Sequence, residues 1–212
     1  MLGRGMGRHA AATGVLAALC CVALAAAAQD EGTREFDAAE RRALRAGELV
    51  RRPRTRTEGR FRYLGGTSFI RVRAPHARVW ALALDTSRYT RLIPGVVEAR
   101  LIEDHGDTRL VYLRHQLSLV RAAYFAHVTI DREAHTVHFE LDRSRPHDVR
   151  AGRGFLTVDP YRGGREAILT WGVMADPGSS VVRGIFGGVI EDWILKVPWC
   201  VRGAAEPGRE GC

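Results

Sequence analysis

The chain has 212 residues, 32 lysines and arginines against 24 aspartates and glutamates, and 46% hydrophobic residues. That is enough for one domain with a sizeable core. The positive charge is almost all arginine, with Lys196 the single lysine, and the basic residues alternate with acids (Asp30, Glu31, Glu35, Asp37, Glu40) instead of forming a stripe. This argues against a nucleic-acid partner and leaves a transient membrane surface or anionic headgroup permitted.

Residues 1–28 read as a signal peptide. Arg4 and Arg8 give a basic front, Ala10 to Ala25 is an apolar run without charge, and Ala26-Ala27-Ala28 supplies the small residues before Gln29. The expectation is a periplasmic or secreted protein, with an uncleaved membrane anchor as the lesser alternative. Leu19 stands where a lipoprotein signal has a small residue before Cys20.

Residues 29–64 read as an N-terminal extension. Phe36 to Val50 has a helical pattern opened by Asp37-Ala38-Ala39-Glu40 and stopped by Gly47. Arg51 to Arg62, with Pro53 and many arginines, reads as an exposed connection or irregular strand ended by Gly65-Gly66. Thr67 to Arg73 alternates as a strand. Ala74-Pro75 opens a helix from His76 to about Leu84, because proline suits a first turn whose N–H groups have no partner. Asp85 or Thr86 caps a second short helix over Ser87 to Leu92, broken by Ile93-Pro94-Gly95.

From Val96 the period is two, and strands are expected at 96–104, 108–117, 122–131, 134–142, 151–159 and 166–175. Their short links imply antiparallel pairing of neighbours. After the turn Asp176 to Ser180, the segment Val181 to Val197 is a long helical pattern. It carries Val182, Ile185, Phe186, Val189, Trp193, Lys196 and Val197 along a wide, mostly apolar face. Gly184, Gly187 and Gly188 thin this helix, for close approach to the sheet or to make room for a ligand. Pro198 should kink or end it near Val197. One long helix with seven strands is best buried by a strongly bent sheet that grips it.

The order of elements resembles the START-like superfamily, also called SRPBCC or helix-grip proteins, with polyketide cyclase/dehydrase-like and coenzyme Q-binding members. The residues that carry the resemblance are Gly66 to Pro75 with Val79-Trp80, the block Asp85, Tyr89 and Leu92 to Val96, and the helix Val182 to Val197. It covers about Gly65 to Val201. It implies an α+β helix-grip fold at residues 65–201, with a seven-stranded bent antiparallel sheet, two small helices after the first strand and a long C-terminal helix. It also implies a cavity between sheet and helix for an apolar or amphipathic small molecule. Residues 202–212 are then a C-terminal tail.

Candidate wall and polar residues of such a cavity are Trp80, Tyr89, Arg114, His115, His127, Glu140, Phe186 and Trp193. Ile93, Pro94, Gly95 and Pro146 are candidates for its mouth. His115 and His127 lie on adjacent predicted strands, where they would face each other across a hairpin. His135 and His138 fall on opposite faces of a strand and make no metal pair. No nucleophile-elbow or phosphate-loop pattern is present, so no catalytic residue, metal or cofactor is assigned. Cys200 and Cys212 are either a disulfide that clips the tail or free thiols. The expected function is an exported, non-catalytic carrier of a lipid, isoprenoid or aromatic molecule. The alternatives are a polyketide cyclase/dehydratase-like enzyme, with His115, His127 or Glu140 as base, or an interaction domain with a collapsed cavity. The sequence sets no oligomeric state.

Overall fold

In the computed structural model, which describes residues 35–117, 120–178, 188, 192–209 and 211–212, the first element is α1 (Ala38–Ala46). A capping box starts it: the Asp37 carboxylate accepts the N–H groups of Ala39 and Glu40 at 2.7 and 2.8 Å, and Glu40 takes the N–H of Asp37 at 2.9 Å. Gly47, at φ 77°, closes it in the left-handed conformation that glycine adopts without a steric penalty. The helix lays Ala43 and Leu44, with Phe36, over Val50 and Phe69 on the outer face of the sheet.

The sheet follows as β1 (Val50–Glu58), β2 (Phe61–Val72), β3 (Val96–Asp104), β4 (Thr108–Leu117), β5 (Val120–Asp131), β6 (Thr136–Leu141), β7 (Ala151–Tyr161) and β8 (Glu166–Asp176). Between β2 and β3 come α2 (His76–Leu84), a 3-10 turn at Thr86–Arg88 and the short α3 (Tyr89–Leu92). All neighbours pair antiparallel in the order β1-β2-β8-β7-β6-β5-β4-β3. This is an α+β helix-grip fold.

The sheet has eight strands, one more than the sequence suggested. The added one is β1, in the arginine-rich stretch read as an exposed connection or irregular strand. It sits at a sheet edge, where Pro53 removes a donor that no inner ladder needs. Its arginines are held by local partners: Nε and Nη2 of Arg52 each donate to a Glu40 carboxylate oxygen at 2.8 Å, and the guanidinium lies over the Phe36 and Phe69 rings. Gly65-Gly66 lies inside β2 and does not end it. Both residues have positive φ, and a β-carbon on Gly65 would strike the Val173 carbonyl, one on Gly66 the Arg52 carbonyl. The pair lets β1, β2 and β8 pass one another closely.

The main core fills the concave face of the sheet. Ile70 and Val72 from β2, Val79 from α2, Val158 from β7 and Leu169 from β8 are fully buried there. Across from them comes the C-terminal segment. Asp192–Ile194 are helical, Leu195 and Lys196 form a turn, and a new helix, α4 (Val197–Ala205), begins with Pro198 in its first turn. The break expected at Val197 is therefore followed by more helix: Pro198 opens α4, where its missing N–H costs nothing. The expectations for Val182, Gly184, Ile185, Phe186, Gly187 and Val189 lie outside the described residues.

The stretch read as a tail is integral to the fold. Ala205 of α4 is buried, and the Glu206 carboxylate, itself buried, accepts the Arg73 N–H at 2.6 Å. Cys200 and Cys212 form a disulfide with their Cα atoms 4.9 Å apart. No described helix is long and apolar enough to cross a membrane.

Candidate ligand cavity

Between the concave face and the C-terminal segment lies a cavity of about 160 Å³. Strand alternation determines its walls, since residues two apart share a face. β4 presents Val111, Leu113 and His115, β5 presents Tyr124, Ala126 and Val128, and β6 presents Val137 and Phe139. β8 adds Trp171, Val173 and Ala175, α2 and α3 add Ala83, Tyr89 and Leu92, and Ile194, Val197 and Val201 close the far side. Phe139 and Trp171 stack with centroids 4.8 Å apart, and the Trp171 indole donates to the Ile194 carbonyl at 2.8 Å. That bond ties the wall of the sheet to the helical segment.

No charged residue lines this space among the described residues. The polar groups are few. The Tyr89 hydroxyl donates to the Ala83 carbonyl at 3.3 Å, and burial pushes its pKa up. His115 Nε2 and the Tyr124 hydroxyl meet at 2.9 Å. Burial lowers the His115 pKa from 6.5 to about 4, against an opposing hydrogen bond to the Pro94 backbone. Desolvation also drives the Tyr124 pKa well above its ordinary value. Both side chains are therefore neutral at physiological pH.

The mouth strip lies beside this pair. Ile93 and Pro94 line the cavity. Gly95 has φ +64°, and a β-carbon on it would fall inside the Trp193 ring, so the indole rests directly on its backbone. Trp193 also meets the His115 ring edge-on at 5.7 Å. Tyr124, His115, Trp193 and Gly95 form one continuous contact.

Of the residues singled out from sequence, the structure brings together Tyr89, Ile93, Pro94 and His115 at the cavity, with Trp193 and Gly95 adjoining. Others lie elsewhere. Arg114 points outward and donates to Glu98 at 2.9 Å, as its neighbour His115 takes the inward position. His127 is exposed and 3.3 Å from Asp142 on the outer face, so it does not face His115 across the hairpin. Glu140 pairs with His127 in register and sits in an outer groove with Tyr63, Arg143 and Arg153, spanned by the 2.8 Å Arg153–Glu58 ion pair. Trp80 packs against the core and meets His135 edge-on at 5.3 Å. Pro146 is exposed in the loop after β6, and Phe186 lies outside the described residues. Tyr124 was not among the sequence candidates. Its signal was available: it shares the parity of the apolar Ala126 and Val128.

No three His, Cys, Asp or Glu side chains among the described residues come together as a metal-binding set.

A family model described as polyketide cyclase/dehydrase and lipid transport matches residues 66–197. No curated protein matches the chain by sequence. Among solved structures, the Zhui aromatase/cyclase from Streptomyces sp. R1128 is 15% identical at TM-score 0.59, covering 72% of this chain and 99% of that one. A STAR-related lipid transfer protein from Xanthomonas axonopodis is 12% identical at TM-score 0.54, covering 72% and 98%. Human STARD10 is 9% identical at TM-score 0.55, covering 81% and 80%. At these identities the likeness is one of fold. With the family model spanning more than half of the sequence, the chain belongs to the polyketide cyclase/dehydrase and lipid transport family of the START-like, helix-grip superfamily.

Proposed function

We propose that this protein encloses an apolar small molecule in the cavity and acts on it by acid–base chemistry, as a cyclase/dehydratase-like enzyme. The observation that carries the binding reading is an apolar enclosure of about 160 Å³ whose lining includes no charged side chain among the described residues. A fully collapsed core would leave no such volume. The His115–Tyr124 pair favours chemistry on the occupant, and relatives named as aromatase/cyclases weigh the same way.

The pair supplies a relay. As Tyr124 takes a proton from the substrate, its own proton passes to His115 Nε2, and the same proton returns to a departing hydroxyl, which leaves as water. The reaction consumes nothing beyond the substrate. A neutral His115 at physiological pH has the lone pair this requires.

The carrier reading differs in one respect: the ligand returns unchanged. Native mass spectrometry of gently purified protein, followed by exposure to aromatic and β-hydroxycarbonyl compounds, separates the two. Adducts that are released lighter by one water support the enzyme, intact release supports the carrier, and an empty protein with no apolar affinity refutes both. We further propose export, on the strength of residues 1–28 and of a disulfide that suits an oxidising compartment. A mature N-terminus at Gln29 in the periplasmic or secreted fraction is the expected result, and an intact N-terminus in the cytoplasm would overturn it.

A further inference from the structure

The two edges of the sheet are built differently. β1 closes one edge with Pro53 and a row of arginines, which discourage an edge strand from pairing with another chain. β3 closes the other edge and contains neither proline nor lysine. Among the described residues it holds three of the four exposed large hydrophobic side chains: Val97 at 46%, Leu101 at 43% and Ile102 at 38%. Apolar side chains gathered at a sheet edge are a surface suited to a second strand.

Register and charge name the occupant. The pairing of β3 with β4 shifts at Val97 and again at Ile102, and between these bulges Glu98 to Leu101 run opposite Arg114 to Val111 without interruption. An added ladder is therefore centred in this run. Residues directly opposite each other in an antiparallel ladder share a face, so a two-fold partner is centred on a residue and not between two. Centring on Glu98 or on Arg100 sets a charge against itself, and centring on Leu101 opposes no unlike charges. Centring on Ala99 sets Glu98 of each copy against Arg100 of the other and brings Val97 alongside Leu101. Both charged side chains are placed for this: Arg100 lies 3.1 Å from Glu98 within the chain, partly exposed, with its guanidinium over the Tyr112 ring at 4.5 Å.

We infer that the β3 edge is the interface of a two-fold dimer of this chain, in which two copies pair antiparallel about Ala99 and the sheet continues from one molecule into the next. The partner is a second copy because the run Val97 to Leu101 is complementary to itself in both charge and apolar character. The bulges limit the shared backbone ladder to a few residues, so the dimer is weak and concentration-dependent. β3 is paired with β4, the strand that carries His115, so the contact adjoins one wall of the cavity.

Analytical ultracentrifugation of the full chain over a range of concentrations, at low ionic strength, tests this with two charge reversals. Glu98→Arg and Arg100→Glu each oppose like charges at both symmetric positions, so either variant alone should dimerise about tenfold or more weakly than the wild type. Mixing the two variants restores both unlike pairs, and the mixture should sediment as a dimer at concentrations where each variant, with native circular dichroism, is a monomer. Hydrogen exchange on the unmodified chain supplies a reading that needs no variant. Edge-facing amides within Glu98 to Leu101 should exchange more slowly at high than at low protein concentration, while those of β1 do not change. The inference is overturned if the wild type stays monomeric, if either reversal leaves its dimer intact, if mixing the folded variants fails to restore it, or if the concentration-dependent protection appears in β1 instead.

Discussion

Acidification should weaken this fold through one side chain. His115 is held neutral in the folded protein down to about pH 4, whereas in the unfolded chain it takes up a proton near pH 6.5. Below pH 6.5 the unfolded state therefore binds more protons, and stability falls as pH falls until the folded His115 itself titrates. Lowering the pKa from 6.5 to about 4 corresponds to about 3 kcal/mol across that window. The structural cause is its position between Tyr124 and Trp193 with no carboxylate among its described contacts. The assay is urea denaturation of the wild type and of His115→Gln at half-unit steps from pH 4 to 7.5. The wild type should lose about 3 kcal/mol more than the variant between the two ends. Parallel curves would refute the reasoning, as would an NMR titration placing the His115 pKa near 6.5.

Four further outcomes are expected. Gly95→Val, which puts a branched side chain at φ +64° and drives it into the Trp193 ring, should cost about 2–4 kcal/mol and shift Trp193 fluorescence; a loss under about 0.5 kcal/mol would show that the contact is unimportant. Ala126→Phe places a ring in the cavity space and should abolish binding of an apolar ring compound such as naphthalene while far-UV circular dichroism stays native; retained affinity would place the ligand elsewhere. Reducing Cys200–Cys212 should lower stability by about 2–3 kcal/mol, as for a short closed loop, and an unchanged melting curve would count against the link. Glu166→Gln leaves the Arg71 guanidinium buried beside a neutral amide and should cost about 3 kcal/mol, whereas the double change Arg71→Met with Glu166→Leu should recover most of it.

Most of the inner sheet was readable from alternation alone, because strands covered on one face must place apolar residues at every second position. Which candidates share a face follows from the same rule, but which face is concave does not. His115 shares parity with Val111 and Leu113, and Tyr124 with Ala126 and Val128, while His127 and Glu140 fall opposite Val128 and Phe139. A search guided by acid–base residue types picks out histidine and glutamate and passes over the tyrosine that completes the pair. β1 was hidden for a different reason. Its own residues, with Pro53 among arginines, have poor strand character, and what makes it a strand is the free edge of β2 together with Glu40 and the aromatic rings that hold Arg52. Pro198 signalled a break correctly but could not signal a restart, because a proline suits the end of one helix and the first turn of the next equally well.

The pairing of β2 with β8 joins residues far apart in the chain, from Leu64 with Ala175 to Val72 with Ala167. Every other ladder is a hairpin between consecutive strands, so β3 to β8 are able to assemble early, each step closing a short loop. The ladder between β2 and β8 must wait for the ends of that meander to meet. Until then α2 and α3, which supply Ala83, Tyr89 and Leu92, have nothing to close against, and the apolar faces of β4 to β8 stand open to water. Refolding should therefore be limited by this one docking event, with an aggregation-prone half-barrel before it, and an apolar compound that binds the exposed face would compete with the completion of its own binding site.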